Sequence, residues 1–463
     1  MSTPLVWIAF PILVGIVMIF LGHWKKGVVV AGTIVSIGLA LAARFVPIDE
    51  IIILGPWSFS LAGRVSLGAL EFVLLEADRS LLVTLYSATA FMLAGSWAAR
   101  TQRLFVPLGL IVIATLIAGL SVEPINYGAL FFPLSILLCV LILAPPGSEI
   151  DKGLLRFLVF QIIGLAFILL SGWVLSDSGN ILDDPDALIR ATVILGIGFV
   201  SVFAIFPLYT WVIMIAEGSH SYTAVFVFSM VFGSYTLYFL SFLGQNQWLL
   251  EATSILAIIR FAGVLMVATG GAWAAFQRNL GRLLGYAVVI EVGLSLITIG
   301  IPNGDLHYAM LVPRILALSV WGLGLSVLQP HAENFQFRSV QGIARQFPVA
   351  SSAVLLAHFS FAGLPLLAGF PVLSSLWVQL AGISVPSVVW CFLGSVGLMV
   401  GGFRSLAVMV MGPEVLPVGE REGLIQRIFL MIGIFGLFLF GFFPQWIYPL
   451  FSDLVGSLGF FSP

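Results

Sequence analysis

The stretch GFVSVFAIFPLYTW, residues 198–211, is an apolar run of membrane type that ends in a proline, a tyrosine, a threonine and a tryptophan. Proline removes a backbone hydrogen-bond donor and clashes with the preceding helical turn, so Pro207 predicts an interruption of the helix. The polar segment AEGSHSYT, residues 216–223, follows closely. We therefore expect a broken helix that leads into a polar loop.

A second interruption is predicted in AGLPLLAGFP, residues 362–371, which lies within an apolar stretch over 350–380. A helix of about 30 residues is too long for the bilayer unless it is broken or tilted. Paired interruptions in two halves indicate an inverted-repeat transporter with a site near the midplane. Two ordinary proline kinks are the alternative, because kinks are common in membrane helices. The residues predicted to break this helix are Gly363, Pro365, Gly369 and Pro371.

The composition places the chain in the membrane. Its 463 residues are 60% hydrophobic and 9% charged, whereas a soluble domain carries about 25% charge. Because the apolar runs have helix length, we predict an all-α polytopic membrane protein in contact with the lipid bilayer. A net charge of −2 gives no indication of nucleic-acid binding. Cys139 and Cys391 lie inside apolar runs, so a disulfide framework is not expected.

Window length predicts about fourteen transmembrane helices. The segment 65–76 is expected either to extend the third of them or to lie in the membrane interface. We interpret the first span, 4–22, as a retained helix and not a cleaved signal. The predicted spans are 4–22, 27–46, 80–97, 104–121, 127–144, 154–175, 188–208, 222–242, 253–275, 283–300, 307–328, 350–380, 386–411 and 428–446.

Positive charges alternate between the loops, which predicts the orientation of the chain. The acidic segment SDSGNILDDPD, residues 176–186, belongs to the loops that are poor in cations. We therefore expect a bacterial-type inner membrane protein with both termini on the non-cytoplasmic side. The cytoplasmic loops would carry Lys25, Lys26, Arg100, Arg103, Lys152, Arg156, Arg278, Arg282, Arg338, Arg345, Arg404, Arg421 and Arg427.

Four stretches between about 185 and 400 resemble, in order, one membrane protein family. They are GFVSVFAIFPLYTW, SMVFGSYTL (229–237), RNLGRLLGYAVVIEVGLSLITIG (278–300) and FAGLPLLAGF (361–370). They are similar to segments of the antiporter-like subunits of respiratory complex I (NADH:quinone oxidoreductase chains L, M and N) and of Mrp cation/proton antiporters. The chain resembles a divergent member of this family. The resemblance implies two inverted five-helix repeats, each with one broken helix. The implied domains are N-terminal helices over 1–103, repeats over 104–245 and 250–411, and a C-terminal loop and helix over 412–463.

The family carries protons on a buried glutamate and a series of buried lysines, and this sequence lacks them. The chain has three lysines, Lys25, Lys26 and Lys152, and all three lie in predicted loops. Tyr209 stands where the family has a histidine. Since a buried lysine is costly and is retained for function, its loss predicts a degenerate proton channel. The positions of the family's missing charges are Pro133, Val202, Phe232 (or the adjacent Gly233), Gly281 and Leu373.

Three charged residues on successive predicted spans are singled out: Arg260, Glu291 and Arg314. They lie on successive helices, so a glutamate between two arginines could form a buried ion cluster. One interpretation is an interhelical staple, because arginine is not deprotonated and cannot relay protons. The other is a rerouted ion path in which Glu291 is the titratable member.

Glu217 and His220 follow the first broken helix and are further ion-pathway candidates, although solvated loop residues are the plainer interpretation. His307 and His358 are expected to be satisfied core histidines. Salt bridges at the end of a helix account for Glu71, Glu76, Asp78 and Arg79.

No nucleotide, haem or metal motif occurs in the sequence, so no cofactor and no catalytic residue is predicted. The leading hypothesis is a non-catalytic membrane subunit of a complex I-like or hydrogenase-like ion-translocating assembly, with membrane and peripheral subunits as partners. The alternatives are the membrane component of a two-component ion or inorganic-carbon transporter, and a purely structural spacer.

Overall fold

A computed structural model of the chain describes residues 2–54, 57–144, 151–177, 185–246, 249, 253–301, 305–412 and 422–446. Parts of the predicted acidic loop (178–184), the loop containing Arg421 (413–421) and the C-terminal segment (447–463) lie outside these residues. The α-helices of the described residues are α1 Phe10–Phe20, α2 Lys25–Phe45, α3 Arg79–Ala99, α4 Phe105–Ser121, α5 Gly128–Leu143, α6 Lys152–Asp177, α7 Pro185–Val202, α8 Thr210–Gly218, α9 Ser221–Gln245, α10 Thr253–Phe276, α11 Leu280–Ile299, α12 Asp305–Leu328, α13 Pro348–Ala362, α14 Gly369–Ile383, α15 Val385–Val410 and α16 Leu424–Phe442.

These helices confirm the all-α polytopic membrane class, and their bounds follow the predicted spans closely. A π-helical turn, Leu5–Ala9, precedes α1. Ten of the described helical segments are long and apolar enough to cross a membrane, and four shorter ones are also apolar. The total of fourteen spans stays a prediction.

Both predicted helix interruptions are present. Helix α7 ends at Val202, Ala204 has a positive φ of 52°, the Phe206–Pro207 peptide bond is cis, and α8 begins at Thr210. Helix α13 ends against Gly363, whose φ of 83° is in the left-handed region that glycine adopts without strain. The chain then turns through Pro365 and Leu366 before α14 begins at Gly369.

Two small antiparallel sheets correct the expectation for the segment 65–76. Strands β1 Ile51–Leu54 and β2 Trp57–Ser60 form one hairpin. Strands β3 Arg64–Leu67 and β4 Leu70–Val73 form a second hairpin, and β5 Val122–Glu123 adds to β4. The segment therefore does not extend α3, and its location in the membrane interface stays a prediction. Gly68, with φ of 66°, permits the tight turn between β3 and β4.

The described contacts group the chain into two compact units. The first comprises Met1–Leu93, Gln102–Leu208 and Met230–Gln247. Within it, Trp7 donates from Nε1 to the Leu39 carbonyl at 3.1 Å, and Gly164 and Gly198 let α6 and α7 approach closely. Such small residues at the contact are typical of membrane helix packing, where close backbone approach replaces the hydrophobic driving force.

The second unit comprises Ala94–Thr101, Tyr209–Ser229 and Trp248–Pro463. Its most enclosed helices are α11 and α12, in each of which 89% of the apolar window is buried. Only 33% of the corresponding window is buried in α10 and in α15. Polar side chains on α11 and α12 therefore face protein and not lipid, which is where a membrane protein places its ionisable groups.

Candidate functional site

The centre of the candidate site is a buried charge pair between α11 and α12. Glu291 Oε1 lies 3.4 Å from Arg314 Nε, and both side chains are almost completely buried. Arg314 also donates from Nη1 to Ser295 Oγ at 3.1 Å. Ser295 follows Glu291 by four residues, so α11 presents both side chains to Arg314 on one face.

A cavity adjoins this pair and extends to the second broken helix. Its volume is about 30 Å³, which is room for ordered water. Ser360 near the end of α13 and Gly369 at the start of α14 contribute to its wall, and the Gly369 amide donates to Ser360 Oγ at 3.0 Å. The break therefore brings backbone and hydroxyl groups to the charge pair. The remaining lining is mainly apolar: Leu294, Met310, Pro313, Ala317, Phe361, Val372 and Leu373.

Arg260 does not join this pair, so the expected three-charge cluster is wrong in that member. Its Nη1 donates to the carbonyl of Gly300 at 2.5 Å. Gly300 follows Glu291 by nine residues, which is about 13 Å along a helix. Within the described part of the chain, Glu291 is thus paired with one arginine and not two.

Leu373, one position of a missing family charge, lines the same cavity as Glu291 and Arg314. The place where the resemblance puts a titratable side chain is therefore occupied by an apolar residue, directly beside the charges that this chain retains.

Val202, where the broken-helix lysine falls, is fully buried at the end of α7. Its carbonyl accepts a hydrogen bond from Gln161 Nε2 at 3.1 Å. Sequence reasoning missed Gln161, although an amide inside the apolar run LVFQIIGLA (158–166) is a recognisable signal, because polar side chains in membrane helices usually bond across to a neighbour. The amide satisfies a carbonyl left free where α7 ends.

Gly281 could not hold the family's lysine with the present backbone. A Cβ atom built there would lie 2.8 Å from the Ala216 carbonyl oxygen, closer than real Cβ contacts allow. Gly281 also donates its amide to the side chain of Asn279, which caps the N-terminus of α11. This position serves the close packing of α8 against α11.

The other two positions of missing charges lie in the first unit. Phe232 is buried on α9, and Pro133 lies inside α5. Beside Pro133, the ring of Phe132 makes an edge contact with Tyr235 at 5.2 Å between centroids. Ser135 donates to Thr115 Oγ1 at 2.8 Å, so α4 and α5 are joined by hydroxyl groups that do not titrate near neutral pH.

Glu217 lies at the end of α8 and is tied to the start of α11. Its Oε2 accepts from Arg282 Nε at 2.7 Å, and its Oε1 accepts from Asn279 Nδ2 at 3.2 Å. His220 is largely enclosed in the short connection between α8 and α9. Burial lowers the pKa of His220 below its ordinary value, and a hydrogen bond with the Ala99 backbone partly opposes that shift. Neither residue contributes to the cavity beside Glu291.

Of the two histidines of the later helices, His358 is satisfied as expected of a core residue, whereas Nε2 of the buried His307 has no hydrogen-bond partner among the described residues. His358 Nε2 lies 2.8 Å from the Leu398 carbonyl, and His307 Nδ1 lies 3.1 Å from Thr298 Oγ1. At the start of α3, Arg79 pairs with Glu76, as predicted. Glu71 instead lies 3.8 Å from Arg64 within the β3–β4 hairpin, and Asp78 Oδ2 accepts from the Leu75 amide at 2.8 Å, so neither of these carboxylates forms the predicted salt bridge at the helix end. Among the described residues, no group of three potential metal ligands occurs.

These features define a class, the antiporter-like membrane subunits with interrupted helices. Residues 155–401, more than half of the chain, match the family described as NADH:quinone oxidoreductase/Mrp antiporter, TM. The chain belongs to this family and is an integral multi-pass membrane protein.

Relatives with known names include NADH-quinone oxidoreductase subunit N of Desulforudis audaxviator (strain MP104C). The two chains are 25% identical over an alignment of 397 residues, and the match covers 78% of each chain. Formate hydrogenlyase subunit 3 of Escherichia coli (strain K12) is 31% identical over 193 residues, 38% of this chain and 31% of that relative. The chain spans about half the length of two further subunit N relatives.

Two solved structures show the same fold over nearly the whole chain. One is a chain of the membrane-bound sulfane sulfur reductase, an archaeal respiratory membrane complex. It has a TM-score of 0.80 at 15% identity, and the match covers 100% of both chains. A chain of respiratory complex I from Thermus thermophilus has a TM-score of 0.71 at 17% identity, over 97% of this chain and 100% of that one. At such identities the likeness concerns the fold alone.

Proposed function

We propose that the chain is a non-catalytic membrane subunit of a complex I-like or hydrogenase-like ion-translocating assembly, with a degenerate proton channel. The family match over 155–401 supports the membrane-subunit role, because relatives in this family are named as subunits of such complexes. Redox catalysis would lie in partner subunits, both membrane-embedded and peripheral.

The degenerate-channel proposal rests on one observation: uncharged residues occupy the positions where the family has buried charges. A side chain can relay a proton only if it titrates, and Val202, Phe232 and Leu373 cannot. All three are buried, so they leave apolar groups where the family has lysine or glutamate. A proton path through these three positions is therefore interrupted, and the scaffold persists without its relay.

The proposed location is a bacterial-type inner membrane with both termini on the non-cytoplasmic side. The alternation of lysine and arginine between loops supports this orientation. The domain division into helices over 1–103, repeats over 104–245 and 250–411, and a final segment over 412–463 belongs to the same proposal.

The proposal is tested by purifying the tagged chain in a mild detergent and identifying its partners by mass spectrometry. Iron–sulfur or quinone-reductase subunits in stoichiometric amounts are the expected result. Recovery of the chain alone, or with a single soluble partner, would contradict it and would favour a two-component transporter. A stable respiratory-type complex whose proton-to-electron ratio is unchanged by Glu291→Gln would instead favour a structural spacer.

A further inference from the structure

Glu291 and Arg314, which line the cavity, carry buried polar atoms that the described chain does not satisfy. Oε1 of Glu291 and both Nε and Nη2 of Arg314 have no hydrogen-bond partner among the described residues. Both residues line the cavity, and both are almost completely buried. Three unsatisfied polar atoms at one cavity are unusual, because nearly all buried polar groups have a partner.

The charge pair itself does not satisfy these atoms. Its 3.4 Å separation exceeds the 2.7–2.9 Å typical of a hydrogen bond between an arginine and a carboxylate. An ionised carboxylate that lacks hydrogen bonds is costly in a low-dielectric surrounding. A further ligand is therefore needed at this place, and it must both donate to Glu291 and accept from Arg314.

Water meets both requirements, and the cavity has room for it. A water needs about 10–15 Å³ of such volume and two to four polar partners, so the measured 30 Å³ accommodates about two molecules. Ser360 adds a further polar partner, since its Oγ accepts from the Gly369 amide and its O–H is left to donate. The second helix break thus completes a small polar site inside an otherwise apolar cavity.

We propose that this cavity holds ordered water and that Glu291 exchanges its proton with that water, which makes Glu291 the proton-binding site of this subunit. Proton uptake forms an O–H bond on the carboxylate and turns a hydronium ion into water, and release reverses both changes. Arg314 stays protonated throughout and acts as a positioning residue that balances the ionised form. This inference rests on the proposed function, the ion-translocating assembly, and adds that the ion bound at Glu291 is a proton.

The other ionisable groups on the helices packed around α11 have their own partners. Arg314 is thus the charged side chain paired with Glu291 in the described part of the chain. Arg260 on α10 bonds to Gly300, Glu217 on α8 to Arg282, His358 on α13 to Leu398, and Arg404 on α15 to Ala275. His307 on α12 meets Thr298 through Nδ1, and its Nε2 has no partner among the described residues.

The first test is infrared difference spectroscopy on the purified full-length chain in nanodiscs, titrated from about pH 4 to pH 10. We expect a carboxylic-acid C=O band that appears on acidification, shifts in D₂O and is lost in Glu291→Gln. The matched control Glu71→Gln removes a half-exposed carboxyl from the β3–β4 hairpin and should retain the band. A wild-type titration with no contribution that depends on Glu291 would overturn the proposal.

The second test targets the water and does not remove the charge pair. Ala317→Val adds two methyl groups to the cavity wall, whereas Ala309→Val makes the same change on the same helix away from the cavity. Displacing a water at a cost of about 1.4 kcal/mol would slow hydrogen–deuterium exchange of the Glu291 carboxyl about tenfold in Ala317→Val only. Equal exchange in both variants would contradict a hydrated site. Because both tests use the isolated chain, their failure is separate from a failure to find partner subunits.

Discussion

Glu291 Oε1 and Arg314 Nε lie 3.4 Å apart on adjacent helices, in the most enclosed part of the second unit. Both side chains are almost completely buried, unlike those of the partly exposed Glu217–Arg282 pair. Removing both charges and removing one of them have different physical consequences, because the lone charge would remain buried without compensation.

Glu291→Ala or Arg314→Ala should lower the free energy of unfolding by about 3–5 kcal/mol, since each leaves an uncompensated buried charge. The double variant Glu291→Met/Arg314→Met should cost much less than the sum of the single changes. Unfolding in a detergent titration measures all three. Additive losses would show that the two side chains do not stabilise each other.

Gly281→Ala should destabilise the chain by about 1–3 kcal/mol, because the added methyl group collides with the Ala216 carbonyl and forces α8 and α11 apart. The control is Gly196→Ala on α7, where a Cβ meets nothing within 4 Å. That change should be neutral or stabilising by up to about 1 kcal/mol. Thermal unfolding in detergent compares the two variants. Equal stability would contradict the close contact.

Asn279→Ala should cost more stability than Glu217→Gln. The asparagine caps α11 by accepting from the amides of Gly281 and Arg282, and loss of an N-cap costs about 1 kcal/mol. The Glu217–Arg282 pair is partly exposed, and such pairs contribute about 0–1 kcal/mol. The reverse order in thermal unfolding would mean that the ion pair, and not the cap, holds the start of α11.

His220 should make the chain less stable at acidic pH. Its pKa is lowered in the folded state by burial, so the unfolded chain binds the proton more readily. The stability that depends on neutral His220 is therefore fully present above the unfolded pKa of about 6.5 and is lost as the pH falls below it. Unfolding temperatures measured across this range should flatten in His220→Gln. A pH profile identical to that of the wild type would show that other groups are responsible.

Restoring lysines with Val202→Lys and Phe232→Lys should not by itself produce proton pumping, because Leu373 and Gly281 still interrupt the series. The measurement is acidification of inverted vesicles by the assembled complex, with Val202→Met and Phe232→Met as uncharged controls of similar length. Each buried lysine is expected to destabilise the folded protein by a few kcal/mol and therefore to lower the amount of folded protein. Pumping gained by the lysine variant would contradict the degenerate channel.

Much of the architecture could be predicted from the sequence because lipid imposes a simple rule. Backbone groups in the bilayer must bond internally, so apolar runs of sufficient length become helices, and the predicted spans lie close to the observed ones. Pro207 and Gly363 likewise mark the two interruptions, since each residue has a local backbone effect that does not depend on distant residues.

Pairings between distant residues were predicted less well. Arg260, Glu291 and Arg314 lie on successive helices, but the rotation of each helix decides which charges meet, and Arg260 faces Gly300 instead. The hairpins over 51–73 were missed because short strands outside the bilayer carry a weak pattern beside strongly apolar spans. The cavity depends on the exact path of the chain between α13 and α14, which no local pattern reports.

The strand β5 carries a consequence for how the protein is made. Strands β3 and β4 precede α3, whereas β5 follows α4, and yet β5 pairs with β4. During synthesis the β3–β4 hairpin leaves the ribosome two helices earlier than β5. The three-stranded sheet can close only after α3 and α4 have been made, because both helices lie between β4 and β5 in the chain. A chain in which either helix is misplaced would therefore leave that edge of β4 unpaired, so correct pairing of β5 reports that both intervening helices are in place.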